Sequence, residues 1–176
     1  MPLNQSKLAH DLPIHSHFAI HYHHWTLRVK VECSVMFELI YREQVQYQGK
    51  LELMNNGEPL DISQVQWKFR HRPDRIEQWC QLHHADKLSL NMNYFFHEQA
   101  LVIEYLARNS IPTRLDIRHA IVPLEALNTG GDSSPVCTNW QRCRHGLPSA
   151  SIRHSIKPDL FREAFSATQW IVLDKM

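Results

Sequence analysis

The fold is decided by residues 25–41, which read WTLRVKVECSVMFELIY. Every odd-numbered position of this segment is hydrophobic, while the even-numbered positions include Arg28, Lys30 and Glu38. Successive side chains of a β-strand point to opposite faces of a sheet, so this period of two predicts a strand with one buried face. The segment is longer than a usual strand, and we therefore expect a bulge or bend within it.

The same alternation recurs along much of the chain, in residues 44–53, 65–69, 88–96, 101–105 and 115–121. Short connections between successive strands favour antiparallel neighbours. We therefore predict a mainly β (β-rich α+β) fold, an antiparallel β-sandwich or barrel of about seven or eight strands. Residues 1–176 are expected to form a single domain.

Two segments predict helices. Pro73 followed by Asp74 is typical of a helix N-terminus, where proline and acidic residues are favoured. The residues after them have the spacing of one face of a helix. Pro158 and Asp159 open a second helix in the same way. Its inward-facing residues would be Leu160, Phe161, Ala164 and Phe165. The prediction thus includes one helix inserted after residue 72 and one near the C-terminus.

Residues 128–157 show neither the alternation of a β-strand nor the hydrophobic stripe of a helix. We therefore predict a long irregular basic loop within the domain. This loop contains Arg142, Arg144 and Arg153 together with Trp140. Arginine attracts phosphate, and an aromatic ring beside it can stack on a base, so the four residues are candidates for contact with a partner or with nucleic acid.

A histidine-rich strand is predicted just before residues 25–41. His15, His17, His21 and His23 fall on odd positions of residues 14–23, opposite hydrophobic residues on the even ones. Imidazole nitrogen binds transition metals, so this strand is a candidate site for a divalent metal such as Zn or Fe. At the rise of a strand, four residues span about 13 Å, so one ion can take at most one pair. The alternatives are a solvated strand face and a pH-sensitive surface.

A second group, Cys80, His83 and His84, would converge on one side of the predicted helix. Cysteine also behaves as a small core residue, and we favour that interpretation for Cys80. Further metal-ligand candidates outside the histidine strand are His119, Glu98 and Glu104.

Composition excludes several classes of protein. Lys plus Arg number 19 and Asp plus Glu number 18, which gives a net charge of +1. This balance argues against a protein that binds nucleic acid over its whole surface, but not against local basic patches. The sequence has no GxGxxG, no GxxxxGK[ST] and no GxSxG motif. We find no catalytic signature and favour a function other than catalysis.

The four cysteines form no CxxC pair, and no segment approaches the roughly 20 apolar residues of a membrane span. Nor do the first residues resemble a secretion signal. We therefore expect a cytoplasmic location and no contact with a membrane.

The leading functional prediction is a non-enzymatic binding or assembly module that engages a protein or small ligand through the basic loop 128–157. One alternative is a metal-dependent enzyme or sensor that uses the histidine-rich strand. The other is an accessory protein that binds nucleic acid through Arg142, Arg144 and Arg153.

Overall fold

A computed structural model describes residues 17–31, 36–82, 87–124, 150–156 and 162–173. These ranges contain strands and no regular helix. The strands are β1 (His17–Tyr22), β2 (Trp25–Lys30), β3 (Met36–Tyr41), β4 (Gln44–Asn55), β5 (Glu58–Pro59), β6 (Lys68–His71), β7 (Arg75–Leu82), β8 (Leu88–His97), β9 (Ala100–Thr113), β10 (Leu115–Pro123), β11 (Ala150–Ile156) and β12 (Arg162–Leu173).

The strands form two antiparallel sheets. Sheet A has the order β1-β2-β3-β4-β10, with β5 paired to β4, and sheet B has the order β11-β12-β9-β8-β7-β6. The prediction of a mainly β, antiparallel fold is confirmed. Hydrogen bonding between the described strands closes neither sheet into a barrel. The described strands also outnumber the seven or eight predicted.

The two ends of residues 25–41 form separate paired strands rather than one bent strand. Strands β2 and β3 pair in antiparallel register, with Trp25 opposite Tyr41 and Leu27 opposite Leu39. The odd-numbered side chains of both strands are buried. Because the alternation keeps the same phase in both strands, the sequence pattern gives no sign of the reversal between them.

The helix predicted after residue 72 is wrong, because residues 75–82 form β7. Pro73 and Asp74 lie in the turn between β6 and β7, where Arg72 N donates to Arg75 O at 2.9 Å. Proline and aspartate favour turns as well as helix starts. The buried side chains of β7 are Ile76, Gln78, Cys80 and Leu82. The polar Gln78 interrupts the hydrophobic pattern and hides the period of two.

The C-terminal helix is also wrong at Ala164 and Phe165, which lie in β12 (Arg162–Leu173). This strand pairs with β9 on one side and with β11 on the other. Two hydrogen-bonded ladders outweigh a weak local preference for helix. Residues 150–156 form β11, so the prediction of an irregular loop fails there, while residues 128–149 and 157–161 lie outside the described residues. No helix in the described ranges is long and apolar enough to cross a membrane.

The inner faces of the two sheets share one hydrophobic cluster. At the β1 side, the Phe18 ring packs on the Phe69 ring of β6 with centroids 5.3 Å apart, and Tyr22 stacks on Phe96 of β8 at 5.5 Å. His71 Nε2 lies 2.7 Å from the carbonyl oxygen of Ala19. Rings and a hydrogen bond therefore join the outermost strand of sheet A to sheet B.

A buried polar network joins the sheets at the other side. The Gln169 side chain of β12 pairs with the backbone of His119 on β10: His119 N donates to Gln169 Oε1 and Gln169 Nε2 donates to His119 O, both at 2.9 Å. The Tyr105 hydroxyl donates to Gln169 Oε1 at 2.7 Å and lies 2.6 Å from His119 Nδ1. The Tyr94 hydroxyl donates to Gln78 Oε1 at 3.0 Å and lies 3.3 Å from His119 Nε2.

This network fixes the orientation of the Gln169 amide. The amide can satisfy both backbone groups of His119 in only one orientation, so its oxygen faces the Tyr105 hydroxyl and accepts that hydroxyl's proton.

Candidate binding face

The outer face of sheet A consists mainly of ion pairs. Lys30 Nζ lies 2.7 Å from Glu38 Oε1, and Arg28 Nε donates to Glu38 Oε2 at 2.7 Å. Arg118 Nε donates to Glu52 Oε2 at 2.8 Å. Most of the cations on this face are therefore already bound to carboxylates.

Glu38 is 5% exposed although it lies on the outer face of its sheet. Burial by itself raises the pKa of this carboxyl, but the hydrogen bonds and charges of Lys30 and Arg28 outweigh burial, so the pKa of Glu38 lies below its usual value. The ionised form is thus favoured by folding. Its contribution to stability is present above the ordinary pKa and is lost as the pH falls through the lowered one.

We expect Glu38→Gln to lower the free energy of unfolding at neutral pH by about 1–2 kcal/mol, because the hydrogen bonds of Arg28 and Lys30 to a charged carboxylate are weakened. The variant should also lose less stability than the wild type when the pH is lowered from neutral to about 3. Urea unfolding at the two pH values measures both effects. Glu52→Gln is the matched control, since that carboxylate is more exposed and pairs with Arg118 alone; an equal effect of the two substitutions would contradict the prediction.

The outer face of sheet B carries aromatic rings. Paired residues on neighbouring antiparallel strands lie on the same face of a sheet, so the strand register assigns the side chains to cross-strand rows. The first row contains Arg75, Phe95, Val102 and Trp170. The second contains Arg70, Glu77, Asn93, Glu104 and Thr168. The third contains Lys68, Trp79, Asn91, Leu106 and Ser166. We call these three rows the aromatic face.

Arginines lie over two of its rings. The guanidinium carbon of Arg70 is 5.8 Å from the Trp79 ring centroid, and that of Arg75 is 5.9 Å from the Phe95 ring centroid. Such contacts are typical of cation–π interactions. Arg70 Nη1 also donates to Glu77 Oε2 at 3.2 Å. The face therefore holds aromatic surface and positive charge side by side.

The aromatic face is open to solvent only in part. Leu106, in the third row, is 50% exposed, and the Trp79, Phe95 and Trp170 rings are half-buried, whereas Val102, between Phe95 and Trp170 in the first row, is 1% exposed. Lys68 and Arg108 are exposed and form no ion pair within the described part of the chain. Arg108 follows Leu106 on the same face of β9. Apolar surface beside unpaired cations is typical of a binding site rather than of a merely solvated face.

One candidate from the sequence lies beside this face. Arg153 occupies the position on β11 that is paired with Trp170 of β12. Trp140, Arg142 and Arg144 lie outside the described residues. The sequence prediction missed Trp79 because it placed that residue in a helix. The strand register is the signal that brings Trp79 to the same side as Arg70 and Lys68.

The histidine strand has the predicted alternation. His17 and His21 of β1 are exposed while Ile20 is buried, and His23 lies in the following turn with a positive φ of 53°. His21 Nδ1 lies 2.8 Å from Thr26 Oγ1. No group of three or more His, Cys, Asp or Glu side chains in the described ranges could hold a metal ion. His15 lies outside those ranges, so the metal site stays a prediction.

The remaining ligand candidates are dispersed. His119 lies in the buried network, Glu98 in the turn after β8, and Glu104 on the aromatic face. Cys80 points into the core, where burial raises the pKa of its thiol to about 12 against a lowering backbone hydrogen bond from Leu90. A thiol of this kind is a core side chain and not a reactive one. His83 and His84 lie outside the described residues.

Comparisons of the chain with protein-family models, with curated proteins and with solved structures find no match. The candidate site therefore depends on the geometry of this chain alone.

Proposed function

We propose that this protein is a non-enzymatic binding module that holds a partner against the aromatic face. The observation that carries this proposal is the combination, on one outer face, of three half-buried rings, an exposed Leu106 and the cations Lys68 and Arg108, neither of which forms an ion pair with another described residue. In the proposal the basic segment 128–149 contributes further contacts, because it leads into β11 and Arg153 at the margin of that face.

The shifted pKa values among the described residues are consistent with a role in binding. Burial raises the pKa of Cys80, Tyr94 and Tyr105, which lie in the core, and the lowered pKa of Glu38 comes from its ion pairs on sheet A. A perturbed pKa suggests catalysis when the group lies in an accessible cleft. These groups are instead structural, and the accessible face offers rings and charges that bind ligands.

Two charge reversals on opposite faces test this proposal. Arg108→Glu changes an exposed cation beside the aromatic face, and Lys50→Glu changes an exposed cation on the outer face of sheet A. The immobilised wild type and both variants are exposed to extract of the native source, and retained protein, nucleic acid and small molecules are each quantified. We expect Arg108→Glu to reduce retention of a specific component about tenfold while Lys50→Glu leaves it unchanged.

Equal retention by the wild type and both variants would contradict the proposal. The contribution of the segment is measured in the same assay by exchanging residues 129–149 for a glycine–serine linker of equal length. This exchange leaves β11 intact, whereas a deletion through residue 156 would remove an edge strand of sheet B.

A further inference from the structure

The aromatic face carries more positive than negative charge. Four cations lie on it or at its margin, Lys68, Arg70, Arg75 and Arg108. Three carboxylates oppose them: Arg70 binds Glu77 at 3.2 Å, Arg75 Nη2 lies 3.5 Å from Asp74 Oδ2, and Glu104 lies in the second row. The cations lie along the β6–β7 side and at the far end of β9, so they frame the rings. The net charge therefore favours an anionic ligand whose apolar parts lie between its charges.

The positions of the rings restrict the ligand further. Phe95 and Trp170 share a row but are separated by β9, which places their backbones about 10 Å apart. Trp79 lies two rows away on β7. These separations exceed the roughly 3.4 Å between consecutive bases of a stacked strand. The rings therefore suit flat groups that are splayed apart along a flexible chain.

We propose that the partner of the aromatic face is single-stranded nucleic acid, whose bases stack on Trp79, Phe95 and Trp170 while its phosphates contact Lys68 and Arg108. This inference rests on the proposed function and names the ligand class. Aromatic platforms combined with a cationic track are the usual means of binding single strands without strict sequence preference. A duplex offers no free base faces to such rings.

Two polar side chains of the second row complete the face. Glu104 is exposed and Asn93 is half-buried, and they are paired across β8 and β9 between the rings. A carboxylate there is unfavourable for phosphate but accepts a hydrogen bond from an exocyclic amino group such as N4 of cytosine. The bases thus lie over the centre of the face and the phosphates at its cationic margin. Arg70 and Arg75 cover part of two rings and would move aside or stack on the bases.

The test uses the full chain and a fluorescein-labelled oligodeoxycytidine of about 15 nucleotides, followed by fluorescence anisotropy. We expect saturable binding that weakens about sevenfold or more between about 50 mM and about 200 mM salt, as the contact of Lys68 and Arg108 with about two phosphates requires. The same length of duplex should bind at least about tenfold more weakly. Arg108→Glu and Trp170→Ala should each weaken binding about tenfold, while Lys50→Glu changes it less than about twofold. Circular dichroism checks that each variant folds.

Three results would overturn the inference: no saturable binding at the lower salt concentration, equal binding of single strand and duplex, or an equal loss in Arg108→Glu and Lys50→Glu. The last would show attraction to the chain as a whole. If the oligonucleotide does not bind while retention of a protein or small molecule from the extract still depends on Arg108, the ligand class is wrong and the proposed function stands. If neither depends on Arg108, both fail.

Discussion

Replacing Gln169 by leucine is expected to lower the free energy of unfolding by about 3–5 kcal/mol, because three buried polar groups lose the partners that this amide supplies. These groups are the Tyr105 hydroxyl and the backbone N–H and C=O of His119. Among the described strands, β10 is the last of sheet A, and Gln169 of sheet B supplies these hydrogen bonds in place of a strand neighbour. Urea unfolding of the wild type and the variant measures the difference.

Two further variants make this test specific. Tyr105→Phe removes a single hydroxyl from the network and should cost about 1–2 kcal/mol. Thr168→Val alters the residue beside Gln169 that lies on the opposite face of β12, and should change stability by less than about 0.5 kcal/mol. If Gln169→Leu proved no more harmful than Thr168→Val, the bridging role of the glutamine would be wrong.

Gly49→Ala is expected to destabilise the protein by about 2–3 kcal/mol through overpacking of the core. A Cβ atom at this position would lie 2.3 Å from two ring atoms of Phe37, on the neighbouring strand β3. The ring is fully buried and lies 5.1 Å from the His119 ring, centroid to centroid, so it has no open space into which to move. Thermal or urea unfolding of the variant gives the cost.

A compensating substitution separates this steric effect from a backbone effect. Phe37→Leu shortens the side chain over Gly49, so Gly49→Ala should cost clearly less in the Phe37→Leu background than in the wild type. Gly57→Ala provides the contrast, since no atom lies within 4 Å of its added Cβ but its φ is +85°. That substitution should cost about 1 kcal/mol from backbone strain alone. Additive costs for the two changes at residues 37 and 49 would contradict the clash.

Hydrophobic alternation was enough to predict the class of fold but not every element. It is strong in β2, β3 and β8, where nearly all inward positions are hydrophobic. It fails in β7, because Gln78 occupies an inward position and is satisfied there by the Tyr94 hydroxyl. A buried glutamine looks like a surface residue until its partner on another strand is known. Helices were predicted where the hydrophobic alternation is interrupted next to a proline and an aspartate.

The candidate site was predicted only in part. Arg153 was chosen from its basic segment, and the register places it beside Trp170. Trp79 and Phe95 carry no signal of a shared face, since residues 79 and 95 meet only through the pairing of β7 with β8. Contacts between Arg70 and Trp79 likewise depend on the register of β6 and β7. Pairing between strands is a long-range property, and periodicity along one strand does not contain it.

The bond between His71 and the Ala19 carbonyl has a consequence for self-association. Strand β1 is the outermost of the described strands of sheet A, and the edge strand of a sheet can pair with the same strand of another molecule. The His71 imidazole of β6 is already hydrogen-bonded to the carbonyl oxygen of Ala19, in the middle of β1. A second molecule that pairs with this edge must first displace the imidazole. The exposed His17 and His21 side chains flank that position. A side chain of sheet B therefore covers one of the backbone groups through which a second molecule would pair with β1.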